Sequence, residues 1–163
     1  MARRSQSGRQ GEAYDKALAF LARREHSARE LKSKLEQRGL DAGESAAAIA
    51  ELQLKHYQSD ERFGEMLVHS RLEGGYGARW ILAELRQHGI DESRGRELIE
   101  AAEPDWPHLI RRQLRRRYGG RKAVDFAERN KRAAFLLRRG YDAATVKLVV
   151  GESVLADSSD EAD

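Results

Sequence analysis

The chain has 163 residues, no cysteine, and Lys+Arg 30 against Asp+Glu 27 for a formal net charge of +3. Without thiols there is neither a disulfide framework nor a thiolate metal site, which fits a reducing cytoplasm, and no apolar run approaches the roughly 20 residues that span a bilayer. Charged residues make up 35%, aromatics 7% and prolines number 2, a balance that favours helices over strands and a soluble, unprocessed, cytoplasmic protein.

Residues 1–11 carry Arg3, Arg4 and Arg9 among Ser, Gln and Gly without periodicity, and read as a disordered basic arm. Such an arm could touch nucleic acid, although fraying is the ordinary behaviour of a chain end. Tyr14, Ala17, Leu18 and Leu21 then follow helical spacing, and the first helix ends near Arg23 or Arg24. Ser27-Ala28-Arg29-Glu30 has the form of a capping box, opening a second helix with Ala28, Leu31 and Leu35 inward. Gly39 stops it. Asp41-Ala42-Gly43-Glu44 opens a third helix, with Ala48, Ile49 and Leu52 inward as far as about Tyr57.

The pattern then restarts. Ser59 caps a helix with Phe63, Met66 and Leu67 inward, Gly74-Gly75-Tyr76-Gly77 breaks it as a flexible turn, and Gly77 occupies the N-cap place that Ser27 held 50 residues earlier. Ala78, Ile81 and Leu85 repeat Ala28, Leu31 and Leu35, while Leu98 and Ile99 match Ala48 and Ile49. Pro104 and Pro107 mark the next boundary, because proline is tolerated only in the first turn of a helix. Trp106, Leu109, Ile110 and Leu114 form the following stripe, closed by Gly119-Gly120. A helix from about Lys122 to Arg139 is expected next, with Phe126, Ala133, Leu136 and Leu137 inward. The last helix spans Asp142 to Val150, with Val146, Val149 and Val150 inward.

One heptapeptide recurs through this order: Leu35 to Asp41, Leu85 to Asp91 and Leu136 to Asp142. In each, a basic last turn meets a Gly suited to left-handed backbone, an apolar residue that packs back, and an Asp that can cap a new helix. The glycines fall at 39, 89 and 140, so successive copies are 50 and 51 residues apart, as in an internal repeat. The expectation is an all-α chain of three tandem three-helix repeats in an elongated, curved array. Its limits are 12–57, 58–103 and 104–151, followed by a disordered acidic tail at 152–163.

Candidate sites are few. His26, His56, His69, His88 and His108 include no i, i+4 pair, so no metal is expected. The Gly74–Gly77 run lacks the Gly-x-x-x-x-Gly-Lys-Ser/Thr frame of a phosphate loop. No Ser stands in a nucleophile-elbow context, and the carboxylates lie among arginines as solvated ion pairs do, so neither an enzyme nor a cofactor is expected. The third repeat differs. Arg111, Arg112, Arg115, Arg116, Arg121, Lys122, Arg129, Arg132, Arg138 and Arg139, with Arg117 and Lys131, face only Asp125 and Glu128. A charged helix surface that keeps the protein dissolved would account for this. However, arginine's planar fork suits phosphate or carboxylate, and the local imbalance points to a polyanion or an acidic protein surface.

With the repeats laid out, the chain resembles the RecX family of bacterial RecA regulators. The resemblance runs from about Ala13 to Val150. It is carried by Phe20 to Ser27 leading to Glu30-Leu31, by Tyr57-Gln58-Ser59-Asp60-Glu61-Arg62-Phe63, by Val68-His69-Ser70-Arg71, and by Gly77-Ala78-Arg79-Trp80-Ile81 running into Leu85 to Ile90. The third repeat matches mainly by position and basic character. The resemblance implies a non-enzymatic protein that binds the RecA filament on single-stranded DNA and inhibits its growth, ATPase, recombinase and co-protease activities. The runner-up is a general DNA-binding module acting through the basic third repeat. The partners expected are RecA and single-stranded DNA, met by a monomer without a membrane.

Overall fold

The computed structural model describes residues 6–155, and side-chain surroundings for 11–151. The helices in order are α1 (Gln6–Leu21), α2 (Ala28–Gln37), α3 (Ala42–Leu54), α4 (Asp60–Glu73), α5 (Ala78–Gln87), α6 (Glu92–Ala101), α7 (Trp106–Tyr118), α8 (Phe126–Arg138) and α9 (Ala143–Leu155). Among the described residues there is no strand.

Two boundaries differ from expectation. Residues 6–11 of the expected arm belong to α1, and α9 carries through 152–155 of the expected tail. Both extensions have one cause: once a helix is nucleated, each added residue contributes a hydrogen bond at little further entropic cost, so the packed part propagates into polar sequence. The rest of the arm and tail lies outside the described residues.

The three corners are the same structure built three times. Gly39, Gly89 and Gly140 have φ of +81°, +87° and +90°. Each donates its N–H to the carbonyl three residues back, Glu36, Arg86 and Leu137, at 2.9, 3.0 and 3.0 Å. The residue after each reaches one carbonyl further: Leu40 to Leu35, Ile90 to Leu85 and Tyr141 to Leu136, at 3.2, 3.0 and 3.3 Å. This paired pattern satisfies the orphan carbonyls of the helix end and turns the chain. Asp41 then accepts from the N–H of Gly43 at 2.8 Å, and Asp142 from that of Thr145 at 2.8 Å.

Contacts group the chain into two compact units that do not follow the repeats. One comprises the chain to Met66 with Leu85–Asp91, the other Leu67–Glu84 with everything from Glu92 on. In the first, Ala17, Leu31, Leu35, Ile49 and Leu52 form a buried cluster where α1, α2 and α3 pack together. In the second, Ile110, Leu136, Tyr141, Val146, Val149 and Val150 do the same where α9 packs on α7 and α8. Each buried Leu, Ile or Val among them contributes about 1.5–3 kcal/mol through removal from water.

The stagger has a specific cause. Ser27 caps α2 by accepting from Glu30 N–H at 3.0 Å, and the same hydroxyl lies 3.0 Å from His88 Nδ1, on the next repeat's corner. Arg29 also donates to the Gln87 carbonyl at 3.1 Å. The reciprocal arm of the expected capping box does not form: Glu30 pairs with Arg24 at 2.5 Å, and the Ala28 N–H donates to Asp60 at 2.8 Å. In the second unit the equivalent helix start docks again. Gly77 N–H donates to Arg139 O at 2.8 Å and Arg79 N–H to Gly140 O at 3.1 Å. A Cβ on Gly77 would lie 2.3 Å from the carbonyl carbon of Gly140, so only glycine allows this approach. The turn that the sequence suggested as flexible is thus a packed joint, with Gly75 and Gly77 both buried.

Candidate nucleic-acid interface

The third repeat's first helix is set by Asp105, which accepts from His108 N–H at 2.9 Å, with Pro107 in the first turn. Ile110 and Gln113 are buried, and Trp106, Leu109 and Leu114 are half-buried against the core. This fixes the helix phase and leaves Arg111, Arg115 and Arg116 exposed. Gly119 takes left-handed backbone, with φ +67°, and the chain doubles back. Arg111, Arg115, Arg121 and Lys122 thereby share a hollow of ≈ 360 Å³ with Leu114, Gly120, Val149 and Arg132. No carboxylate lines it among the described residues. A larger hollow of ≈ 500 Å³, between Ala78, Leu82, Ile99 and Trp106, carries both signs, with Arg96 beside Glu100 and Glu103.

The ten basic residues singled out from sequence do not form one group. Five line the hollow, and Arg116 and Arg138 are exposed elsewhere. Arg129 is half-buried. Arg132, expected at the surface, is 6% exposed: it donates to Arg121 O at 2.7 Å and to Glu128 at 2.5 Å, with its guanidinium 4.5 Å from the Tyr118 ring centre. Glu128 also accepts from Val124 N–H at 2.9 Å. That backbone bond, and then Arg132, hold its carboxyl below the usual range. The pair fastens the returning loop to α8. Arg112, expected to project freely, donates to the carbonyls of Leu72 and Glu73, at 3.0 Å each, and so caps α4. Arg139 lies 4.6 Å over the Tyr76 ring, which itself stacks on Trp80.

Helix α8 corrects two further expectations. It starts at Phe126 behind the N-cap Asp125, rather than near Lys122. Phe126 and Leu137, expected inward, are 69% and 42% exposed, while Leu136 is fully buried. Its apolar residues occupy more than one face, so spacing alone left the phase open. Lining residues missed by the sequence reading are Leu114 and Val149 as hollow walls, since a stripe reads as core whether or not its edge borders a cavity. Among the described residues no cluster could hold a metal ion, and no helix is long and apolar enough to cross a membrane.

Nine helices among the described residues, joined by repeated corners, define an all-helical repeat protein. Comparison gives the particular family. The first, second and third three-helix domains of RecX match residues 13–52, 59–102 and 108–150. Regulatory protein RecX of Stenotrophomonas maltophilia (strain R551-3) is 40% identical over 132 residues, 81% of either chain. That of Xanthomonas campestris pv. campestris (strain B100) is 39% identical over 133 residues, 82% of either chain. The crystal structure of RecX from Lactobacillus salivarius shares the fold with a TM-score of 0.75 at 19% identity, covering 91% of this chain and 99% of that one. The chain belongs to the RecX family, a family of regulatory, non-enzymatic proteins.

Proposed function

We propose that this chain is a negative regulator of RecA that binds the RecA filament on single-stranded DNA in the cytoplasm, as a monomer, and damps filament growth, ATP hydrolysis, recombination and co-protease activity. The supporting observation is the 40% identity to a protein named Regulatory protein RecX, together with matches to all three RecX domains in order. The proposed repeat limits are 12–57, 58–103 and 104–151. The exposed arginines of α7 and the loop after it are the contact to DNA, because they lie off the core stripe and can engage an anion without disturbing it. Titrating the protein into RecA hydrolysing ATP on single-stranded DNA is expected to suppress turnover; no suppression at any stoichiometry removes this reading.

The basic hollow favours a second reading, a module that binds DNA without RecA. The two separate on affinity. A DNA-only binder holds single strands tightly by itself with a steep salt dependence, whereas a filament regulator needs RecA for tight binding.

A further inference from the structure

Trp80 lies in the first turn of α5, and its ring stacks on that of Tyr76, with centres 4.9 Å apart and planes 27° from parallel. The Arg139 guanidinium stands 4.6 Å from the centre of the same Tyr76 ring and 5.5 Å from that of Phe135. Trp80 fills one face of Tyr76, so Arg139 takes the other, and the three form a pile with Trp80 outermost. Trp80 is 46% exposed. With one face of the indole covered by Tyr76, an exposure near one half is what remains when the other face is open to solvent. The platform is fixed in place. The Gly77 and Arg79 N–H groups bond the Arg139 and Gly140 carbonyls, and a Cβ on Gly140 would lie 2.5 Å from the Trp80 N, so the backbone of Trp80 is pressed against the corner. A ring already held loses little freedom when a flat guest stacks on it.

The charges beside it select the guest. Arg79, next to Trp80, and Arg138, two residues before Gly140, are exposed. Glu84, one turn beyond Trp80 on α5, has both carboxylate oxygens taken by Arg71, at 2.6 Å each. An apolar side chain of a partner protein gains nothing from such cations, whereas a single strand offers a base to the ring and phosphates to the guanidinium groups. We propose that Trp80 is a stacking platform for one unpaired base of a single-stranded nucleic acid, whose backbone the arginines of this joint attract. It rests on the reading that the chain meets single-stranded DNA, and adds a contact away from α7 in which the base, rather than the phosphate, is what is held. Every base has a flat face, so the platform accepts a strand of any sequence.

The test is tryptophan fluorescence of the full chain titrated at low salt with a short oligothymidylate, and with an abasic strand of the same length that carries the phosphates alone. The chain has 2 tryptophans, so Trp106→Phe leaves Trp80 as the reporter; should that variant fold poorly, the difference between the parent and Trp80→Phe reads the same signal. Oligothymidylate is expected to quench Trp80 and the abasic strand to leave it bright. Trp80→Ala weakens oligothymidylate about tenfold or more and leaves the abasic strand's affinity unchanged, while Trp80→Phe, which keeps a ring on Tyr76, weakens it less. No binding of oligothymidylate, binding without quenching, or equal quenching by the abasic strand overturns the platform, as does quenching by RecA protein alone and by neither strand, which assigns the ring to a protein contact. RecA is absent from the strand titrations. Stacking without inhibition of RecA therefore fails the RecA reading alone, and inhibition of RecA without stacking fails the platform alone.

Discussion

Gly77→Ser is the sharpest test of the stagger, because it installs the residue that repeat one carries at the same place. By helix-cap chemistry it should stabilise, since serine at an N-cap contributes about 1 kcal/mol more than a poor cap. The structure demands the opposite. The new Cβ would lie 2.3 Å from both the carbonyl carbon of Gly140 and the N of Tyr141, backbone atoms that no side-chain rotation can move. Relief requires separating the two segments, which stretches the Gly77–Arg139 and Arg79–Gly140 hydrogen bonds of 2.8 and 3.1 Å. Two bonds at about 1 kcal/mol each and overpacking at about 1–3 kcal/mol give a loss of roughly 3–5 kcal/mol. At about 2–4 °C per kcal/mol for a chain of this size, Tm falls by roughly 10 °C. Gly39→Ala is the control: nothing stands within 4 Å of its Cβ, so it bears only the positive-φ cost of about 1–2 kcal/mol. Urea unfolding of the three proteins measures both. Gly77→Ser as stable as the parent would refute the docking of helix start on corner.

Arg111→Glu with Arg115→Glu is expected to leave stability within about ±0.5 kcal/mol. It should weaken both filament inhibition and single-strand binding, with a shallower salt slope; equal inhibition at matched folding would move the contact surface to the first two repeats. Arg132→Ala, by contrast, removes the bonds to Glu128 and the Arg121 carbonyl and is expected to cost about 1–3 kcal/mol in chemical denaturation; a surface-like effect would contradict its burial. His26 is 3% exposed, and burial pushes its imidazole below the ordinary 6.5. The folded state therefore prefers it neutral, so its contribution is complete above that value and is lost as pH falls below it. Tm should decline on acidification from about pH 7 to 5.5, more steeply than in His26→Gln; parallel profiles would assign the decline to other groups.

How much of this was legible in the sequence divides by range. The Gly39, Gly89 and Gly140 corners and the caps at Ser27 and Asp41 are local devices, completed within a few residues, and they stand where their residue types imply. What escaped the sequence reaches across it. Arg112 grips carbonyls 39 and 40 residues away, which no periodicity can announce. Arg132 turned out buried because Tyr118, Glu128 and the Arg121 carbonyl together neutralise and cover it, a constellation that apolar-inward counting excludes in advance. Gly77 was correctly placed as an N-cap by its spacing from Ser27, but the backbone pressed against it was invisible. For the candidate interface, the basic bias was plain in the composition; which cations converge was decided by the turn at Gly119.

The docking of the first two second helices on the following corner has no counterpart in the third repeat among the described residues. Counting back twelve positions from Gly39, Gly89 and Gly140 gives Ser27, Gly77 and Glu128. The first two are small N-caps, Ser27 met by the His88 side chain and Gly77 by the backbone of Arg139 and Gly140. Glu128 instead lies inside the first turn of α8, its carboxylate engaged by Arg132 and the Val124 N–H, so a further corner would find a filled socket. At the other end, Gly39 has nothing within 4 Å of its would-be Cβ, so the first corner is a plug without a socket. The docking made at Ser27 and Gly77 therefore has no equivalent at Glu128 among the described residues, and the repeats are joined by two different versions of one contact.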